Sequence, residues 1–339
     1  MNLPDPNFLP APLWLITTLH VLTLSLHFAA MNFVLGGVIL VLTGRLGRNG
    51  ENPALRRFIT LLPSAMAATV TLGIAPLLFL QLAYPLQVYP AAIVSGWFWF
   101  LVIPAAILAY YFLYAASFSA TKTASAWMRY LWPALLGLLY VSVVYSSVFS
   151  MAERPDLVRE LYSRGQGGLR WNPQTGDYLL RWLHMILGAV AVAGFFAALL
   201  DKENARTSAM AKKTFAYGMA AAIVSGVTYL LSLNGSLSAL MRAPAAWALA
   251  AGILLSLLAL HFFFRRHLVR AGSALAASLF LMVLTRHQLR LIRLEGYFDP
   301  AAWRIAPQWG PLFLFLLFLA IAAVVLIVML RLFFRARAA

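Results

Sequence analysis

The segment that decides the fold is residues 13–43, LWLITTLHVLTLSLHFAAMNFVLGGVILVLT, which contains no Asp, Glu, Lys or Arg. A helix needs about 20 mainly apolar residues to cross the hydrocarbon core of a bilayer, so this segment is long enough to span it. Similar apolar runs recur along the chain and predict an all-α polytopic membrane helix bundle of about nine transmembrane helices. The predicted spans are residues 13–43, 58–86, 91–118, 128–151, 178–200, 214–233, 245–264, 271–288 and 309–333.

The composition agrees with this fold class. Of the 339 residues, 63% are hydrophobic and 11% are charged, whereas a soluble domain is nearer half apolar and a quarter charged. The absence of cysteine excludes disulfides, thiolate metal sites, cysteine-ligated iron–sulfur clusters and covalently attached c-type haem. We expect residues 1–339 to form a single membrane domain whose surface contacts the lipid bilayer.

The net charge of +16 does not indicate nucleic acid as a partner. Most basic residues lie in short loops between apolar runs, and no nucleic-acid-binding motif accompanies them. With nine spans, the basic loops after spans one, three, five and seven and the basic C-terminal end share one side. The positive-inside rule makes that side cytoplasmic, with the N-terminus outside. The outer segment 152–177 mixes basic and acidic residues, and the outer segment around Arg290 and Arg293 is basic as well. We interpret them as outer surfaces that bind propionates or a partner; the alternative is solvated loops, which we expect for most of these arginines.

Carboxylates are absent from the interior of every predicted span, since all ten Asp and Glu residues lie in loops or at span ends. Intramembrane carboxylates are typical of proton pumps and many transporters. Their absence argues against those classes, but it does not argue against a protein that carries only electrons.

Histidines are the ionisable residues that do lie at membrane depth. His20 and His27 share one face of span one, two turns apart, while His184 lies in span five and His287 ends span eight. The predicted topology places His20, His184 and His287 at one level near the outer side. Neutral imidazole is a standard axial ligand of haem iron, so we predict these three as ligands. The alternative is a hydrogen bond between helices, and His27 has the further alternatives of a propionate or a quinone.

Other residues near that level are weaker candidates. Met241, just before span seven, is a candidate sixth ligand, although a methionine more often fills a gap in packing. Arginines at span ends are candidates to neutralise haem propionates, and for each the alternative is a contact with lipid or solvent. These arginines are Arg181, Arg242, Arg286 and Arg290.

Two stretches of the chain resemble subunit I of the cytochrome bd quinol oxidases. Residues 19–44, which begin LHVL, are similar to that family's first helix with its haem-ligand histidine. Residues 180–233 are similar to its low-spin haem histidine and the following helix; they include RWLH at 181–184, AKKTF at 211–215 and GMAA at 218–221. The resemblance implies that His20 is a ligand in the active-site haem region and His184 a low-spin haem b ligand. It also implies quinol oxidation, oxygen reduction and a place in a bacterial inner (cytoplasmic) membrane.

The chain departs from the family at three places. Residues 92–102 contain no acid where the family's third helix carries buried glutamates. The family's glutamate ligand is missing from span eight, where His287 lies close to its place, and the quinol-binding loop is reduced to residues 234–244. We therefore expect a subunit with two or three haem b groups that transfers electrons between the quinone pool and an outer-side partner, such as a c-type cytochrome. The alternatives are a bd-type quinol oxidase, and a haem-free membrane anchor or transporter.

Overall fold

The protein is a multi-pass helix bundle. The computed structural model describes residues 8–46, 52–120, 124–165, 167–299, 303–306 and 308–336. Within these ranges, nine helices are long and apolar enough to cross a membrane, which confirms the all-α polytopic prediction. The helices are α1 (Leu13–Leu46), α2 (Pro53–Ala83), α3 (Pro85–Val94), α4 (Gly96–Phe100), α5 (Val102–Phe118), α6 (Ala124–Met151), α7 (Pro155–Ser163), α8 (Thr175–Leu200), α9 (Ala205–Leu231), α10 (Gly235–Arg242), α11 (Ala245–Phe264), α12 (Leu268–Arg293) and α13 (Trp309–Ala336).

The region between the second and third spans differs from the prediction. Helix α2 ends at Ala83 rather than at residue 86, because Tyr84 precedes Pro85 and a residue before proline disfavours the helical conformation. The predicted third span is divided at Ser95, where a separate loop docks: the Trp97 amide donates to the Gly168 carbonyl at 2.8 Å. A Cβ on Gly96 would lie 3.2 Å from the Gly168 Cα, so this close approach uses the missing side chain.

Two later helices extend beyond the predicted apolar spans. Helix α9 begins at Ala205 because the Asn204 side chain caps it, accepting hydrogen bonds from the Arg206 and Thr207 amides. Helix α12 continues past the predicted end of span eight to Arg293. Hydropathy marks the part of a helix that matches the membrane, whereas the helix itself ends where its backbone groups find other partners.

The chain divides into two compact units, residues 1–18 with 299–339, and Leu19–Phe298. The first contains α13 and a parallel pair of two-residue strands, β1 (Phe8–Leu9) and β2 (Arg304–Ile305). The second contains α2 to α12, most of α1 and all the residues of the site described below. The single membrane domain expected from the sequence stays a prediction.

Close backbone contacts fix the helices of the second unit. Helix α8 packs along α9, α11 along α12 and α5 along α6. A Cβ on Gly194 would lie 2.6 Å from the Phe215 amide nitrogen, and one on Gly218 would lie 2.7 Å from the Ala191 amide nitrogen. Small residues that let backbones approach in this way are typical of membrane helix interfaces. They hold α8 against α9, which is the contact that positions His184.

Candidate functional site

Three histidine rings are hydrogen-bonded to the backbone of a neighbouring helix through Nδ1. The Nδ1 atom of His20 lies 2.9 Å from the Pro76 carbonyl oxygen, that of His27 lies 2.9 Å from the Thr69 oxygen, and that of His184 lies 2.8 Å from the Ala222 oxygen. A carbonyl oxygen only accepts, so Nδ1 must carry the proton in each ring. In the neutral imidazole, Nε2 then carries the lone pair and is available as a metal ligand.

Glycines make room for two of these rings. Gly73 follows Thr69 by one turn, and Gly226 follows Ala222 by one turn. A Cβ on Gly73 would lie 2.8 Å from the His27 Nδ1, and one on Gly226 would lie 2.9 Å from the His184 Nδ1. Each ring therefore lies directly on the backbone of the facing helix, and its orientation is fixed by packing as well as by the hydrogen bond.

The rings of His20 and His287 lie together in the structure, whereas the sequence predicted only that they share one level of the membrane. Their ring centroids are 6.4 Å apart with an angle of 57° between the ring planes, and both residues are 5% exposed. With metal–nitrogen bonds of about 2 Å, two imidazoles that share one metal ion have centroids roughly 6 Å apart. The distance therefore suits a metal held between the rings, and it also suits simple contact of two neutral rings.

A buried ion cluster lies at the same end of α12. Glu153, whose side chain is 1% exposed, pairs with Arg286, with Arg290 at 3.4 Å and with Arg293 at 3.3 Å. Arg293 also binds Asp177 at 2.7 Å, and Asp177 accepts a hydrogen bond from the Ser150 hydroxyl at 2.7 Å. These contacts tie the C-terminal ends of α6 and α12 to the N-terminal end of α8.

Arg181 completes the cluster from α8. It donates to the Ser146 carbonyl oxygen at 2.6 Å and is 8% exposed. Burial alone raises the pKa of Glu153, but the charges of Arg286, Arg181, Arg290 and Arg293 outweigh it and hold that pKa below its ordinary value. Glu153 is therefore the ionised counterion of the cluster.

The cluster carries more positive than negative charge. Four guanidinium groups, of Arg181, Arg286, Arg290 and Arg293, face the two carboxylates of Glu153 and Asp177. Among the described residues, Nη1 of Arg286, Nη1 of Arg290 and Nδ1 of His287 are buried without a hydrogen-bond partner. A buried donor left unpaired costs about 1–3 kcal/mol, and more when it is charged. The arrangement therefore suits an additional anion.

Some members of this cluster were predicted from the sequence. Arg181, Arg286 and Arg290 were predicted to lie near the site, and the structure brings them together. Glu153 and Arg293 were assigned only to outer segments, as part of a surface for propionates or a partner or as solvated residues, and not to a buried cluster. The signal for Arg293 is its spacing of three and seven residues from Arg290 and Arg286, which places all three on one helix face. Nothing in the sequence pairs this face with Glu153, because that contact joins distant segments.

The two candidates on α10 lie elsewhere. Met241 is 47% exposed, and Arg242 is also exposed at the end of the same helix. Their side chains do not join the buried cluster. A ligand role for Met241 and a propionate role for Arg242 stay predictions, with no contact in the described structure to support them.

Glu153 lines two spaces. One is a small gap that is also lined by Leu80, Tyr84, Phe149 and Arg290, among others. The other is a cavity of about 270 Å³ whose lining also includes Asp156, Glu160, Gln174, Arg293 and Tyr297.

A bare metal ion and a haem require different numbers of protein ligands. Among the described residues, no group of three or more His, Cys, Asp or Glu side chains is placed to hold a bare metal ion. Haem has a smaller requirement, because the porphyrin supplies four nitrogen ligands and the protein adds one or two axial ones. Paired or single imidazoles with a free Nε2 fit haem iron better than they fit a bare ion.

Comparisons with known proteins add no family assignment. No protein-family model matches the chain, and no curated protein matches it significantly.

Proposed function

We propose that the protein is a haem b-containing membrane subunit that passes electrons between the quinone pool and an outer-side redox partner, such as a c-type cytochrome. The main support for this proposal is a hydrogen bond that His20, His27 and His184 share: the Nδ1 atom of each ring donates to a backbone carbonyl oxygen. Metal-binding histidines usually have such a second hydrogen bond, which fixes the tautomer and the ring orientation.

In this proposal the chain holds and tunes the haem. His20, His184 and His287 present imidazole nitrogens to iron, while His27 is a further ligand or a hydrogen-bonding partner. Arg181, Arg286 and Arg290 balance propionate charge, and the apolar helices exclude water. The haem supplies one-electron redox chemistry, and the axial ligands, hydrogen bonds and burial set its potential.

Electron transfer is favoured over oxygen reduction by the lack of proton-carrying groups. Within the nine described spans, the only carboxylate residue is Asp177, in the first turn of α8, and Arg293 binds it. Oxygen reduction consumes protons that must reach a buried site, whereas electron transfer between haems moves no proton. The two protons that a quinol releases with its two electrons would leave from the quinone site, so no proton path to the buried haems is needed. The bd-type quinol oxidase is the second candidate, supported by the resemblance of the segments around His20 and His184.

The proposed orientation places the histidine and arginine cluster near the outer face. It follows from the basic loops on the opposite side and puts the N-terminus outside and the C-terminus in the cytoplasm. We propose the bacterial inner membrane as the location. An outer-side partner would then exchange electrons with the haem nearest the Glu153 end of the bundle.

The test uses purified protein in lipid nanodiscs. A reduced quinol is mixed with the protein without oxygen, and haem absorption is followed by stopped-flow spectroscopy. The proposal predicts rapid haem reduction, reoxidation by an added c-type cytochrome, and no oxygen uptake when air is admitted. Quinol-dependent oxygen uptake would favour the oxidase instead. Protein without Soret absorption would favour the haem-free anchor or transporter.

A further inference from the structure

Three neighbouring side chains of α12 have buried nitrogen atoms with no hydrogen-bond partner in the described structure. They are Arg286 and Arg290, each through Nη1, which can only donate, and His287 through Nδ1, which donates in the tautomer that leaves the lone pair on Nε2. Residues 286 and 290 are one turn apart, and His287 is three residues from Arg290, so all three are neighbours on the helix surface. His287 and the Arg290 side chain are more than nine-tenths buried.

The carboxylates of the cluster are already occupied. Oε1 of Glu153 accepts from Arg286 and pairs with Arg290, and Oε2 pairs with Arg293. Both oxygens of Asp177 accept from Arg293. Four guanidinium charges against two carboxylate charges leave an excess of two positive charges in a buried place. An excess charge of this kind is costly unless an anion of matching charge binds there.

The position of the free donors indicates where the anion lies. His287 is in ring contact with His20, and the Arg290 guanidinium lies over the Tyr84 ring, 5.6 Å from its centroid. The free nitrogen of His287 therefore lies beside the histidine pair, and Arg290 lies beside Tyr84. An oxyanion has the acceptors that the two guanidinium groups require, and it also accepts from His287 in the tautomer that carries the proton on Nδ1.

We propose that Arg286, His287 and Arg290 form a binding site for oxyanions that carry two negative charges in total. The two carboxylates of a porphyrin edge are one source, with His287 then facing the edge of that porphyrin and not ligating the iron of the same haem. A free phosphate dianion is the other source. Only the porphyrin source rests on the proposed function; the site itself follows from the free donors and the excess charge.

The test compares three forms of the purified protein: wild type, Arg286→Gln and Arg270→Gln. Arg270 is an exposed arginine on the same helix and is the matched control. Haem content is measured for each form. For protein that contains haem, the midpoint potential and haem affinity are measured. For protein without haem, thermal unfolding is followed at constant ionic strength as inorganic phosphate replaces chloride.

If the bound anion is the porphyrin edge, Arg286→Gln should lower the haem midpoint potential, because the substitution removes a positive charge near the iron. It also predicts haem binding about tenfold weaker or more, since a charge-assisted hydrogen bond is lost. If the bound anion is free phosphate, phosphate should raise the melting temperature of haem-free wild type and of Arg270→Gln. It should not raise the melting temperature of Arg286→Gln. This second outcome supports the site while the proposed function fails.

Two outcomes overturn the inference. The first is that Arg286→Gln behaves like wild type. In protein that contains haem, this means the same haem midpoint potential and the same haem affinity; in protein without haem, it means the same change of melting temperature in phosphate. The other is that haem-free wild type shows no greater stability in phosphate than in chloride. The wild-type measurement stands even if Arg286→Gln does not fold. We expect Arg286→Gln to fold, because Glu153 keeps Arg290 and Arg293.

Discussion

Glu153 is the residue on which the buried cluster depends. It is the carboxylate that three arginines of α12 share, and it is 2% exposed. Because it follows the end of α6, its contacts join α6 to α12. Burial raises its pKa, and the charges of Arg286, Arg181, Arg290 and Arg293 together lower it further than burial raises it. The folded state therefore prefers Glu153 ionised.

The first prediction concerns stability and pH. A carboxyl group with a lowered folded-state pKa stabilises the protein fully above its unfolded pKa, and this contribution is lost as pH falls through the folded value. The loss should begin below about pH 4.5, the ordinary value for Glu. Replacing Glu153 with Gln removes this dependence and leaves buried arginines unpaired, so it should cost about 3–5 kcal/mol at pH 7.

The measurement is thermal unfolding of both proteins between pH 3 and pH 8. Glu160→Gln is the control, because Glu160 pairs with Arg164 at an exposed position and such pairs contribute little stability. If Glu153→Gln unfolds at the wild-type temperature at pH 7, Glu153 does not hold the cluster together.

The second prediction concerns His184. Its Nδ1 is bound to the Ala222 carbonyl, so Nε2 is the nitrogen available to iron. His184→Ala should remove one low-spin haem signal from the optical and electron paramagnetic resonance spectra, with the remaining haem signals retained. His267→Ala, at an exposed position before α12, should leave every signal in place. An unchanged spectrum in His184→Ala would remove His184 from the ligand set.

At the scale of elements, the helices are joined by glycine contacts that tolerate no side chain. A Cβ on Gly36 of α1 would lie 2.0 Å from the carbonyl oxygen of Ala189 on α8. Gly188, next to Ala189, has open space around its Cβ position, with nothing within 4 Å. The two glycines therefore separate the effect of crowding from the general effect of replacing glycine in a helix.

The third prediction uses that pair. Gly36→Ala should destabilise the protein by about 1–3 kcal/mol or more, because α1 and α8 must move apart. Gly188→Ala should be neutral or stabilising by up to about 1 kcal/mol, since alanine favours the helix. Thermal unfolding in the same detergent measures both. Equal effects of the two substitutions would contradict the close contact between α1 and α8.

The membrane-spanning parts of the helices could be predicted, because contact with lipid requires apolar residues there. Apolar runs marked all nine spans, but they did not mark the end of α2 before Pro85, the interruption at Ser95 or the start of α9 at Ala205. Those boundaries depend on a proline, on a docked loop and on the Asn204 cap, which act locally or through distant contacts. The topology predicted that His20 and His287 lie at one level of the membrane, but it did not predict that their rings meet. The sequence also did not predict Glu153 as the counterion, because nothing in it shows which segments are in contact.

At the scale of the whole molecule, the orientation in the membrane is the next proposal to test. The chain has no cysteine, so single introduced cysteines can be labelled without background. Arg159→Cys lies on α7 and Lys202→Cys lies between α8 and α9, both at exposed positions. In intact cells, a membrane-impermeant maleimide should label the first and not the second. The reverse pattern would invert the proposed topology.

Haem content decides whether this protein is an electron carrier. Purified protein is converted to its pyridine haemochrome and quantified against protein concentration, together with a reduced-minus-oxidised spectrum. A haem b subunit of the proposed kind should show the α-band of haem b and two or three haems per chain. Protein that is folded and helical but shows no Soret band, even after expression with added haem, would contradict the proposed function.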